Sequence, residues 1–234
     1  MTKTTKLSQG FTALAVSALF TAGAVAGPIV IPFAGTDAAY EALTENYTRE
    51  AGVAEGRIGN RLNIGTWEIS LRRYSNGGPL FNLGQLNWIN GQAQPFTITY
   101  DGAHAVTYQV GSTVISTTQL GGTFSEIFIR TRSAAGASVS LSSISIDGSV
   151  SVHGISSSGD GDVDYVQIGN RLGDLATPFS SFTITGFQTL NWTTSNPPVN
   201  SGLNAQFRFT NVIPSPGSLA VLGIVGMVSI RRRR

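Results

Sequence analysis

The sequence predicts an all-β protein, an antiparallel β-sandwich or jelly roll with one short N-terminal amphipathic helix. Three observations predict it. Glycine occurs 28 times in 234 residues and only 12% of residues are charged, a profile of short strands and tight turns. Apolar and polar residues alternate with period two in segment after segment between residues 66 and 213, with turn-forming residues between the segments. A hydrophobic content of 41%, with 9% aromatic, is enough to bury a core, which argues against disorder.

The helix is expected over Thr36 to Glu50, where Tyr40, Leu43, Tyr47 and Ala51 recur at helical spacing and Glu41, Glu45 and Glu50 fall on other faces. Thr36 is its candidate N-cap, and Asp37 suits the positive end of the helix dipole. The first strand follows over 66–72, with Trp67, Ile69 and Leu71 on one face and Glu68, Ser70 and Arg72 on the other. Phe96, Ile98 and Tyr100 alternate likewise. Asp101-Gly102 then predicts a tight hairpin turn into Val106, Tyr108 and Val110. Further strands are expected over 113–118, 124–132, 137–146, 149–155, 163–168, 181–187 and 205–213. Strands at this frequency suit a sandwich. A weak repeat pairs Ile58-Gly-Asn-Arg-Leu62 with Ile168-Gly-Asn-Arg-Leu172, and Leu86-Asn-Trp88 with Leu190-Asn-Trp192. Two related halves and chance similarity among strands are equal readings of it.

The two ends have a different character. Lys3 and Lys6 precede an apolar run from Phe11 to Phe20, and Ala24-Val25-Ala26 supplies a small-residue cleavage site before Gly27. That order is a secretory signal peptide over residues 1–26, with Ala24 and Ala26 marking the cut. At the C-terminus, Pro214-Ser215-Pro216-Gly217 leads into an uncharged stretch, Ser218 to Ile230, closed by Arg231, Arg232, Arg233 and Arg234. As a helix the stretch spans about 20 Å, short of the ~30 Å hydrocarbon core. The arginines would hold that end in the cytoplasm, leaving the intervening domain outside.

The Pro-rich tetrapeptide, short apolar helix and arginine cluster resemble the PEP-CTERM sorting signal, with Ser215 in place of the family's glutamate. The resemblance implies an exosortase-like processing enzyme as partner, with Pro214, Pro216, Gly217 and Arg231–Arg234 as the sorting signal over 212–234. Between the two segments lies the β-sandwich domain, residues 27–211, and roughly residues 36–212 resemble the choice-of-anchor domains, best the W group. The resemblance runs through Glu55-Gly-Arg-Ile-Gly-Asn60, Gln94-Pro-Phe-Thr-Ile-Thr-Tyr100 and Glu126-Ile-Phe-Ile-Arg-Thr-Arg132. It implies an extracytoplasmic surface module and transfers no functional residue.

Charge and cysteine count exclude several classes. The formal net charge of +2 is carried by the ends: without Lys3, Lys6 and Arg231–Arg234, nine arginines face 13 acids, a net −4, and no lysine remains. No basic stripe is left for a nucleic acid. With no cysteine, disulfides, thiolate catalysis and Cys-ligated metals are excluded.

Candidate chemistry is sparse. Asp160, Asp162 and Asp164 alternate in a Gly-rich turn and could offer oxygens to Ca²⁺, although no bidentate glutamate follows at calcium-loop spacing, so a solvated turn is the plainer reading. His104 and His153 have no second histidine at ligand spacing and read as exposed strand positions. Glu68 and Glu126 could pair as glycosidase carboxylates, but solvent-facing positions or ion pairs with Arg72 and Arg130 are the default. Trp88 and Trp192 are candidate sugar-stacking rings, with core packing the commoner fate. No hydrolase, zincin or phosphate-loop motif is present.

The expectation is a non-enzymatic, exported structural or adhesive protein of the cell surface or matrix, with transient or retained C-terminal membrane anchoring. The export machinery and exopolysaccharide are its expected partners, and no cofactor beyond the Ca²⁺ candidate is expected. A carbohydrate- or calcium-dependent binding module and a hydrolase with an unrecognised site are the alternatives.

Overall fold

A computed structural model of the chain describes residues 26–31, 36–38, 40, 50–58, 67–72, 80–120, 124–172, 175–193, 198 and 202–210. The signal-peptide run up to Val25 and the sorting segment over 212–234 lie outside them. Among the described residues, no helix is long and apolar enough to cross a membrane.

The fold is all-β, in two antiparallel sheets packed face to face. The first sheet has eight strands. In chain order they are β1 (Gly27–Ile31), β2 (Glu50–Ile58), β3 (Trp67–Arg72), β4 (Leu80–Gln85), β8 (Glu126–Arg132), β12 (Val163–Leu172), β13 (Leu175–Ala176) and β15 (Leu203–Thr210). The second has seven: β5 (Ala93–Tyr100), β6 (Val106–Val110), β7 (Thr113–Thr117), β9 (Ala137–Ile146), β10 (Val150–Val152), β11 (Ile155–Ser158) and β14 (Phe182–Trp192). Spatial orders are β1-β12-β8-β15-β2-β3-β4, with β13 on β12, and β10-β9-β14-β5-β6-β7, with β11 on β9. The last described strand, β15, thus lies between β8 and β2 in the interior of the first sheet.

Alternation builds the core. Leu203, Ala205, Phe207 and Phe209 of β15 face Phe96, Ile98 and Tyr100 of β5 and Ile184 and Leu190 of β14 across the inter-sheet space. Phe124, Phe182 and Phe209 cluster with ring centroids 5.3–6.4 Å apart, and the Tyr100 ring lies 4.4 Å from that of Phe124. One polar bridge crosses this interior. The buried Tyr108 hydroxyl donates to Gln188 Oε1 at 3.3 Å, and Gln188 Nε2 donates to the Gly56 carbonyl of the opposing sheet at 3.1 Å. Along one side the sheets are laced by side chains: Asn82 Nδ2 donates to the Ser116 carbonyl and Thr113 Oγ1 to the Gln85 carbonyl, each at 3.0 Å.

Several expectations change. Of the predicted helix, Asp37, Ala38 and Tyr40 are helical, with the Tyr40 N–H on the Thr36 carbonyl at 2.9 Å, while 41–49, with Glu41, Leu43, Glu45 and Tyr47, lie outside the described residues. Glu50 and Ala51, expected to close it, instead open β2, because pairing with β15 gives this Gly- and Ala-rich run ladder partners from Glu50 to Ile58. The two-residue turn at Asp101-Gly102 is a loop over 101–105. There Asp101 Oδ1 accepts from the N–H groups of Ala103, His104 and Ala105 at 2.8–2.9 Å, bonds that hold its carboxyl below the usual aspartate range. Gly102 sits at φ +87°, where a Cβ would fall 1.7 Å from the Ser180 carbonyl oxygen. In β9 the buried phase slips by one residue at Ser142 and the left-handed Ser143 (φ 51°), opposite a register shift in β14.

Candidate functional site

The sequence pattern of β15 makes a second, polar face. Asn204, Gln206, Arg208 and Thr210 alternate with the core residues, yet all eight residues of the strand are buried. Register fixes their neighbours. Asn204 lies between Arg57 on β2 and Arg132 on β8, and Gln206 lies between Glu55 and Arg130. Arg208 lies between Val53 and Phe128, and Arg72 on β3 stands opposite Val53. Residues paired across antiparallel strands share a face, so five arginines from four strands gather on the outside of the first sheet.

Ion pairs and hydrogen bonds link them into one chain. Glu55, 1% exposed, forms ion pairs through one carboxylate oxygen with Arg57 Nη1 at 3.2 Å and Arg72 Nη2 at 3.0 Å, and accepts a hydrogen bond from Gln206 Nε2 at 2.8 Å on the other. Gln206 Oε1 accepts from Arg130 Nη2 at 2.7 Å and from Arg208 Nη2 at 3.3 Å. Arg130 Nη1 reaches Asp37 Oδ1 at 2.9 Å, and the Tyr165 hydroxyl donates a short hydrogen bond to the same oxygen. Tyr40 is fully buried between these groups, its ring 4.6 Å from the Arg208 guanidinium, 5.0 Å from that of Arg130 and 4.9 Å from the Tyr165 ring. The Thr36–Tyr40 segment is thereby seated on the outer face. Burial alone would raise the Asp37 pKa; the Tyr165 hydroxyl and Arg130 outweigh it and hold the carboxyl below its ordinary value. Burial, then the hydrogen bond to Asp37, pushes the Tyr165 phenol well up.

Beside this network opens a cleft of ≈340 Å³. Among the described residues, four arginines (57, 72, 130 and 132), the amides of Asn204 and Gln206, and the acids Glu55 and Asp160 line it. What the arrangement supplies is fixed positive charge and directed N–H donors, because arginine does not give up its proton near neutral pH.

The residues singled out from sequence are elsewhere, with one exception. Asp160 is exposed at the cleft. Asp162 and Asp164 turn away to the β11–β12 hairpin, taking the Ser158 and Ser156 N–H groups at 2.7 and 2.9 Å. No three carboxylate or imidazole side chains converge among the described residues. Trp88 and Trp192 are half-buried and pack against the core. The Trp88 indole donates to the Arg57 carbonyl at 3.1 Å, and the Asn90 amide clasps the Trp192 backbone with two bonds of 2.8 and 2.9 Å. Their motifs are not equivalent: Leu86–Trp88 is a connector, whereas Leu190–Trp192 ends β14. His104 and His153 are exposed, in connectors and not in strands. Ala26 immediately precedes β1, while Ala24, Pro214, Pro216, Gly217 and Arg231–Arg234 lie outside the described residues.

The default ion pairs are corrected. Glu126 pairs with Arg171, not Arg130, because it stands at the far end of β8 from the cleft. Arg72 pairs with Glu55. Glu68, on β3, is three strands from Glu126. Its neighbour Ile69 aligns, through Gly56 and Ala205, with Thr131, five residues further along β8. That is about 14 Å across and about 17 Å along, too far for a glycosidase pair.

Sequence reasoning missed the arginine network. Its signal was present: every cation of the domain is arginine, and in Leu203–Thr210 the polar positions read Asn, Gln, Arg, Thr with strict alternation. No known family model matches the chain. A search among curated proteins likewise finds no match.

Proposed function

We propose that this chain is an exported structural or adhesive protein of the cell surface or extracellular matrix, without a catalytic role. The observation that carries the reading is the order of charge and apolarity at the ends. Lysines precede the first apolar run, and four arginines follow the last. The described strands run from Gly27 to Thr210, so the folded unit fits between the two segments, and its first strand begins directly after Ala26. The reading includes removal of residues 1–26, a sandwich of the choice-of-anchor kind outside the membrane, and a PEP-CTERM-like tail. That tail would be held in the membrane, or processed by an exosortase-like enzyme.

Intact mass spectrometry of the native protein, with cell fractionation, tests it. The expected product begins at Gly27 and resides in the envelope or matrix. A product that keeps Met1 and Arg234 and fractionates with the cytosol overturns the proposal.

A further inference from the structure

We infer that the arginine-lined cleft on the outer face of the first sheet binds a carboxylate-bearing sugar chain, an acidic polysaccharide of the uronate class. The domain between the terminal segments carries a net −4, yet five of its nine arginines, Arg57, Arg72, Arg130, Arg132 and Arg208, stand on this one face. The local positive field is therefore built by the fold against the average charge of the domain.

The rows across the sheet divide the labour. In one row, Gln206 links Glu55 to Arg130, and Arg57 and Arg72 also bind the Glu55 carboxylate, so its charge is met inside the network. The next row, toward the open end, reads Arg57, Asn204, Arg132 across β2, β15 and β8. Arg57 and Arg132 are two strands apart, about 9–10 Å between their backbones, with the amide of Asn204 between. A carboxylate above that amide is within the reach of both guanidinium forks. Arg132 is exposed and lines the cleft; its guanidinium makes no hydrogen bond or ion pair with another described residue and acts on Asp37 only through its charge.

The lining selects the class of ligand. Among the described lining residues, four arginines against Glu55 and Asp160 leave a modest surplus of +2, suited to a chain of single carboxylates more than to a densely charged phosphate polymer. Among the described residues, no large apolar side chain lines the cleft to receive an acyl chain. The volume of ≈340 Å³ falls at the small end of pockets that hold small molecules or short oligomers. That the carboxylate arrives on a polymer rests on the proposed surface location; that the cleft takes a carboxylate does not.

The test is calorimetric titration of the full chain, purified in detergent, with oligogalacturonate, its methyl ester, monomeric galacturonate and inorganic sulfate. Oligogalacturonate is expected to bind, more weakly as salt rises, and the methyl ester and sulfate are not. Arg132→Gln is expected to weaken the acidic oligomer about tenfold or more, the loss of one charge-assisted contact, with an unchanged melting midpoint. Arg132→Lys, which keeps the charge without the fork, falls between. Equal binding of the ester, binding of sulfate as tightly as oligomer, no binding at all, or undiminished binding by Arg132→Gln each overturns the site. Monomer binding as tightly as oligomer overturns the polymer as source. None of these outcomes touches the export proposal, which mass and fractionation decide.

Discussion

The two sheets of this sandwich share a core and differ in everything outside it. The seven strands of the second sheet contain no Asp, Glu, Lys or Arg. Its outer face is hydroxylic, with rows such as Ser145–Thr185–Thr97–Gln109 and Thr183–Thr99–Thr107–Ser116. The first sheet carries every charged strand residue. Its central strand is buried on both faces, whereas on the second sheet Thr185, Phe187 and Gln109 are exposed. Water can satisfy a Ser/Thr face position by position, so no residue there depends on another. Arginines and carboxylates that leave water must satisfy each other, which makes the charged face a single coupled unit.

Removing the hub of the charged face breaks this contrast most severely. Glu55→Ala leaves Arg57, Arg72 and the Gln206 amide without their shared acceptor. It is expected to cost about 3–5 kcal/mol in equilibrium denaturant unfolding. Next comes the point where the hydroxylic sheet touches the back of the charged one. Tyr108→Phe removes the donor to a buried Gln188 oxygen and is expected to cost about 1–3 kcal/mol in the same measurement.

Asp37→Asn is milder, because that carboxylate is 41% exposed: about 1 kcal/mol or less, read as faster hydrogen exchange at the Tyr40 amide. Its pH dependence has a definite sign. The folded state holds this carboxyl below 3.8, so its contribution is present above that value and is lost as acidification passes through the lowered pKa. Asp37→Asn should therefore flatten the acid limb of a stability–pH profile. On the other face, Thr97→Lys or Thr185→Val is expected to shift stability by less than about 0.5 kcal/mol. A larger loss would show that the hydroxylic face is also a coupled unit.

Much of the fold was legible because alternation is a local signal. Ile69 and Leu71, or Phe96, Ile98 and Tyr100, announce their strands and inward faces from three to five consecutive residues. Among the strands that escaped, β1, β2, β4 and the two-residue β13, β2 and β4 are those whose own residues argue weakly. Glu50–Ile58 is rich in Ala, Gly and Glu, and Leu80–Gln85 carries Asn and Gly; their ladders come from distant partners. The candidate site was less legible still. Glu55 and Gln206 are 151 residues apart, and Asp37 and Arg130 are 93 apart, so neither bond leaves a trace in local spacing.

By itself the sequence determined the all-β class, the inward residues of most strands, the restriction of cations in the domain to arginine, and the contrast between its ends and its middle. These follow from periodicity and composition, which neighbouring residues set together. Tertiary structure alone decided that β15 lies between β2 and β8, and hence which arginine meets which acid. Strand order is a long-range choice, and a one-residue slip in register would send all of these side chains to the opposite face.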